Sequence, residues 1–221
     1  MDISIFEVLG PVMIGPSSSH TAGAARLARV AAELAKKPFK EMEFGLSGSF
    51  AQTCRGHGTD KALVAGAIGM APDDERIRDA KRIAAKQGYL WRFYSEELDW
   101  MHENSVHLTF IHDDGSKSEV WGSSVGGGRI VINQIGDFQT RIFAENPTLL
   151  VTHLDRPGVI SELSEVLARY ELNIAVLRLS RMGKGGQANA MFIVDSEIPQ
   201  AVVDELQALD HVEEVMVVDV P

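Results

Sequence analysis

The chain has 221 residues, 45% hydrophobic and 24% charged, with 31 acidic against 21 basic side chains and a net charge of −10. That length buries a good core in one large domain or two ordinary ones; no apolar run approaches the about eighteen residues of a membrane span, and the acidic balance repels the phosphate backbones of DNA and RNA. A single cysteine, Cys54, excludes an internal disulfide and any zinc or iron-sulfur site built from cysteines of this chain alone.

The opening MDISIFEVLG carries acidic residues and no basic cluster ahead of a long apolar core, so no secretory signal is expected and the chain is expected in the cytoplasm. GPSSSHTAG, from Gly15 to Gly23, comes next and leads into an alanine-rich helix. In it Leu27, Val30, Ala31 and Leu34 fall at helical spacing, and the helix stops near Lys37-Pro38. Met42, Phe44 and Leu46 alternate as a half-buried strand, which runs into a long glycine-rich loop, GLSGSFAQTCRGHGTD. Thr59 or Asp60 caps a second helix with Leu63, Val64, Ala67 and Ile68 on one face, ended by Gly69 and Pro72. A third helix runs from about Asp74 to Gly88 with Ile77, Ala80 and Ile83 inward.

Beyond Gly88 the period becomes two. YLWRFY, the alternation Val106, Leu108, Phe110 up to the turn at His112–Gly115, and SKSEVWG read as antiparallel strands with a hairpin; Gly126, Gly127 and Gly128 interrupt them before RIVINQI. Residues 1–140 are expected to form one α+β domain, 141–147 a linker, and 148–221 a second domain of order βαββαβ, the ferredoxin-like split βαβ. In the second domain DRPG, Asp155 to Gly158, marks the first strand-to-helix turn, and Leu172-Asn173-Ile174 opens the second strand. With that order these motifs resemble the ACT domain family, which implies a small-molecule sensor, usually of amino acids, working through side-by-side domain pairing.

Three stretches of the first domain are candidates for chemistry. Ser18, Ser19 or Thr21 precedes a helix, and one hydroxyl suffices for a cap; three serines and a histidine exceed that need. A helix start behind Gly and Pro, with free N–H groups and clustered hydroxyls, suits a carboxylate. A serine hydrolase is disfavoured, because adjacent Ser-Ser-Ser-His provides no triad geometry and G-x-S-x-G is absent. In Gly56-His57-Gly58-Thr59-Asp60 the histidine, flanked by glycines, is exposed ahead of a helix and suits proton transfer, or is a plain surface histidine in a turn. Ser47, Ser49 and Thr53 keep it company. Ser123 to Gly128 lets backbone approach a ligand or forms a bulge.

Together, IGPSSSHTAG, GSFAQTCRGHGTDKA, SVGGG and an ACT-like tail resemble the β chains of bacterial iron-sulfur L-serine dehydratases of the two-subunit type, over essentially the whole chain. The resemblance implies deamination of L-serine to pyruvate and ammonia. The resemblance also implies a 4Fe-4S cluster, on a separate α chain, that offers iron as a Lewis acid to the substrate hydroxyl, with no metal within this chain. It assigns substrate binding to Ser17, Ser18, Ser19, His20 and Thr21, acid/base or orienting work to His57, and support to Thr59 and Asp60. In the ACT-like domain Asp155, Arg156 and Gly158 are candidates to hold an effector, with Asn173 facing it across a paired domain; the alternative is that DRPG only turns the chain and the domain serves dimerisation. The N-terminal domain also resembles the allosteric substrate-binding domains of some phosphoglycerate dehydrogenases, so the second reading is a sensing module that binds serine without transforming it. The partners implied are the α chain, L-serine and a second ACT domain, with no nucleic acid and no membrane.

Overall fold

The computed structural model describes residues 13–181 and 183–218. MDISIFEVLG, Met182 of the expected strand NIAVLRLSRMG, and the DVP that ends the expected last strand lie outside them. The chain divides into two compact units between Phe143 and Ala144, and each is α+β.

The first unit is built on a six-stranded sheet of order β2-β1-β3-β4-β5-β6. Its strands are β1 (Phe39–Ser47), β2 (Leu90–Ser95), β3 (Asn104–His112), β4 (Lys117–Gly126), β5 (Arg129–Ile135) and β6 (Phe138–Ile142). YLWRFY was expected to be antiparallel; instead β2 runs parallel to β1, pairing Glu41 with Leu90 through Leu46 with Ser95. The helices between the two strands cross over the sheet and return the chain in the same direction, which a hairpin cannot do. The other pairings are antiparallel.

Helix α1 (Ala24–Leu34) buries Leu27, Val30, Ala31 and Leu34. It ends ahead of the expected Lys37, with Lys36 left-handed at φ 56. Alternation places Asn104, Val106, Leu108 and Phe110 of β3 on one face of the sheet, together with Val120, Gly122 and Ser124 of β4. This is the face that α1 covers, since a Cβ on Gly122 would lie 2.4 Å from Leu27 Cδ1. Helix α3 (Thr59–Ala67) packs on α1 so closely that a Cβ on Gly66 would stand 2.0 Å from the Ala25 carbonyl oxygen. The opposite face carries His107, stacked at 4.0 Å on Trp121 between Glu96 and Glu119.

Two helix expectations change. The glycine-rich stretch after β1 is not a long loop: Gly48, at φ 53, turns the chain straight from the strand into the short helix α2 (Gly48–Thr53), and Ser49 N–H donates to the Glu103 carbonyl at 2.8 Å. The helix expected from Asp74 is a 3₁₀ turn (Glu75–Asp79), whose first turn Asp74 caps through Arg76 N–H, followed by α4 (Ala80–Lys86).

The second unit is a four-stranded antiparallel sheet of order β10-β7-β9-β8, with β7 (Thr148–Leu154), β8 (Ile174–Arg181), β9 (Gln187–Val194) and β10 (Val212–Val218). Helices α5 (Val159–Arg169) and α6 (Gln200–Gln207) complete the βαββαβ order. Leu149, Val151, Leu163, Leu167, Phe192 and Leu206 form its core.

Candidate functional site

Ser17 is extended (φ −144, ψ 128) and its Oγ accepts from His20 N–H at 3.1 Å, the cap expected of a serine here. The turn it caps is not an ordinary one. Ser18–Gly23 is a π-helical segment that runs directly into α1; the Ser17 carbonyl accepts from both Thr21 N–H (2.9 Å) and Ala22 N–H (3.3 Å). A π turn carries one extra residue per turn and concentrates at functional sites. Gly15, at φ 138, is needed beneath it, because any Cβ there would overlap the Thr21 side chain.

The segment aims His20 at a second group of residues from α2 and the turn after it. His20 Nε2 lies 2.9 Å from Ser49 Oγ, and its Nδ1 lies 3.4 Å from Ser17 Oγ. Phe50 packs against the ring at 5.3 Å, and His57 stands edge-to-face at 4.9 Å. Thr21 Oγ1 donates to the His57 carbonyl at 3.0 Å, which fastens the Gly-His-Gly turn to the π segment. The His57 ring is exposed, and among the described residues its nitrogens have no hydrogen-bond partner. Ser18 and Ser19 are half-buried, and their hydroxyls have no partner among the described residues.

Burial, and then the neighbouring His57, hold the His20 imidazole below its ordinary pKa; Glu103 and the Ser49 backbone oppose them. His20 is therefore neutral near pH 7, a proton acceptor rather than a fixed cation. Because the unfolded chain takes up the proton first, this group makes the fold lose stability as pH falls through the usual histidine range. An NMR titration is expected to place the His20 midpoint below the about 6.5 of an unperturbed histidine, and His57→Gln is expected to raise it by removing the second cause. A midpoint at or above the ordinary value contradicts this arrangement.

The other sequence candidates fall at different depths. Thr21 is buried, with its hydroxyl committed to the His57 carbonyl. Thr59 does not cap α3: left-handed Gly58 (φ 72) is the N-cap, and the Thr59 hydroxyl is buried with no partner among the described residues. Asp60 accepts from Lys61 N–H and pairs with Lys81, which ties α3 to α4. Cys54 is half-buried, and burial, then Asp60, pushes its thiol pKa up. No group of three or more His, Cys, Asp or Glu among the described residues is placed to hold a metal ion.

Local sequence pattern leaves Ser49 at the margin of the site, holds Ser124 only as part of the Ser123–Gly128 stretch, and misses Glu103 and Asn104. Glu103 acts on His20 electrostatically and offers its carbonyl to Ser49, Asn104 bridges to Gly48, and Ser124 Oγ faces Gly23 of the π segment. The one signal available was the polar triplet His102-Glu103-Asn104 immediately ahead of the apolar alternation of β3.

In the second unit, His153, Asp155, Arg156, Ile160, Leu179 and Arg181 line a cleft of about 300 Å³. The Gly185 N–H and the Arg181 guanidinium hold the Asp155 carboxyl below the usual carboxylate range. Gly158, left-handed at φ 94, is the N-cap of α5. Asn173 lies outside the cleft walls and donates to Asp195 Oδ2 at 2.5 Å.

Comparison with known proteins finds two family matches. Residues 4–90 match the family described as serine dehydratase beta chain, and residues 147–211 match the ACT domain. The chain is 39% identical over 209 residues to a probable L-serine dehydratase, beta chain, of Bacillus subtilis, covering 95% of this chain and 94% of that one. It is 42% identical over 181 residues to the L-serine dehydratase, beta chain, of Peptoniphilus asaccharolyticus, covering 81% and 82%. A weaker similarity, 23% over 116 residues, covers 52% of this chain and 22% of a D-3-phosphoglycerate dehydrogenase of Methanocaldococcus jannaschii.

Proposed function

The chain belongs to the L-serine dehydratase beta-chain family, and from that premise we propose that it is the substrate-holding half of a two-chain enzyme that deaminates L-serine to pyruvate and ammonia. The observation that carries the reading is His20, gripped by the Ser17 and Ser49 hydroxyls and set against His57, beside the Ser18 and Ser19 hydroxyls, which have no partner among the described residues. The hydroxyls and the N–H groups at the start of the π segment receive the substrate carboxylate. Thr21, Thr59 and Asp60 act from behind, fixing the His57 turn and the start of α3. His57 is the acid/base: its ring is exposed, while its backbone is fastened.

This chain does not fit a 4Fe-4S cluster. One half-buried cysteine with a raised pKa cannot replace several thiolates, so the cluster and its chemistry belong in this reading to an α chain. In the second unit Asp155 and Arg156 line the effector cleft, while Gly158 is outside its lining and serves as the N-cap of α5. β8, at the edge of its sheet with Val176, Leu177 and Leu179 exposed, is the strand through which two ACT domains pair, bringing Asn173 of one copy toward the other; open apolar edges are otherwise a liability.

The second reading, a module that senses serine and catalyses nothing, is favoured by the similarity to D-3-phosphoglycerate dehydrogenase. Anaerobic affinity purification of the chain from its own cells separates the two. The enzyme reading expects a cysteine-rich partner in stoichiometric amount with an iron-sulfur absorption band. Serine binding by the chain without such a partner would favour the sensor.

A further inference from the structure

Donors dominate the serine-histidine site. Helix-start N–H groups and the Ser18 and Ser19 hydroxyls suit a carboxylate, but a free amino acid also carries an ammonium group, which requires acceptors. Besides Thr59, the sheet beneath the site holds two unspent acceptors. Asn104 is 7% exposed and Ser124 0%, and Asn104 Oδ1 and Ser124 Oγ have no hydrogen-bond partner among the described residues. They come from adjacent strands. Continuing the register that pairs Ser105 with Ser123 sets Asn104 directly across from Ser124, on the helix-covered face at the end of the sheet.

Both also border the serine-histidine site. The Ser124 hydroxyl lies against Gly23, so close that a Cβ there would stand 2.0 Å from it. Asn104 bridges Gly48 and follows Glu103, whose carbonyl receives the N–H of Ser49, the residue that holds His20. A buried acceptor without a partner destabilises a fold, and two of them face to face mark a place completed by something outside the described residues.

We propose that Asn104 and Ser124 form the ammonium subsite of the amino-acid pocket, taking the α-amino group of the substrate opposite the donors that take its carboxylate. The proposal rests on the serine-binding reading. Two neutral oxygens suit this task, since they accept from an ammonium without adding a charge that would repel the carboxylate.

The test is calorimetric titration of the full chain, with its partner chain where the two co-purify, using L-serine and 3-hydroxypropanoate, which keeps the carboxylate and hydroxyl but lacks the amine. Wild type is expected to prefer L-serine. Ser124→Ala and Asn104→Ala are expected to weaken L-serine binding on the order of 10- to 100-fold, the range for hydrogen bonds to a charged group, while 3-hydroxypropanoate binding stays unchanged. Ser124→Ala should also melt at a higher temperature than wild type without ligand, because it deletes an unsatisfied buried hydroxyl. A merely structural serine would do the reverse. Ser124→Ala binding L-serine normally, weakening of both ligands alike, or a lower melting temperature would each overturn the subsite. Wild type that takes neither ligand overturns the serine reading and the subsite with it, whereas wild-type discrimination that survives both substitutions overturns the subsite alone.

Discussion

His57→Ala in the assembled two-chain enzyme is expected to lower kcat by roughly 10²- to 10⁴-fold, the contribution of a positioned general acid or base. The structure makes this substitution unusually clean. The Gly-His-Gly turn is held through the His57 backbone, whose carbonyl accepts from Thr21 Oγ1 at 3.0 Å, and its N–H donates to the Thr53 carbonyl at 3.1 Å. Truncating the side chain spares both bonds and removes only the exposed ring. KM should therefore change little, since the carboxylate donors lie on Ser17–Ser19. Normal turnover by the variant would remove His57 from the chemistry and leave His20 as the residue to test next.

A double substitution on the other unit, Leu177→Asp with Leu179→Asp, is expected to abolish self-association measured by sedimentation. Both residues lie on β8, an outer strand of the four-stranded sheet, exposed at 39% and 55%. Strand pairing there would bury apolar side chains and satisfy a row of backbone groups, and two carboxylates on the edge oppose both gains. Leu179 also lines the cleft with Asp155 and Arg156, so an effector completed by pairing should lose its affinity together with the dimer. Self-association at wild-type strength in the variant would place the contact elsewhere on the chain.

Much of this architecture was legible in the residues. Leu27, Val30, Ala31 and Leu34 announced α1, and the βαββαβ order of the second unit emerged from its alternating periods. The direction of β2 was not legible, because alternation such as that of YLWRFY records which side chains are buried and says nothing of the neighbouring strand's direction. Helix α2 escaped because GSFAQT is too short for a helical period and opens on glycine; its placement depends on Gly48 turning left-handed and on Ser49 meeting Glu103 across the fold. The candidate site divides in the same way. Ser17–Thr21 and His57 stood out as local clusters and Ser124 only within the Ser123–Gly128 stretch, whereas Asn104 is ordinary singly; the pair acquires meaning when the β3–β4 register sets the two face to face under the π segment.

In the proposed enzyme this chain supplies the serine pocket and its acid/base, while another chain supplies the iron-sulfur cluster. Anaerobic reconstitution tests that division of labour, following pyruvate formed from L-serine with this chain alone, the cysteine-rich partner alone and both together. Turnover is expected only in the mixture. Pyruvate formed at comparable rate by this chain alone would contradict the division.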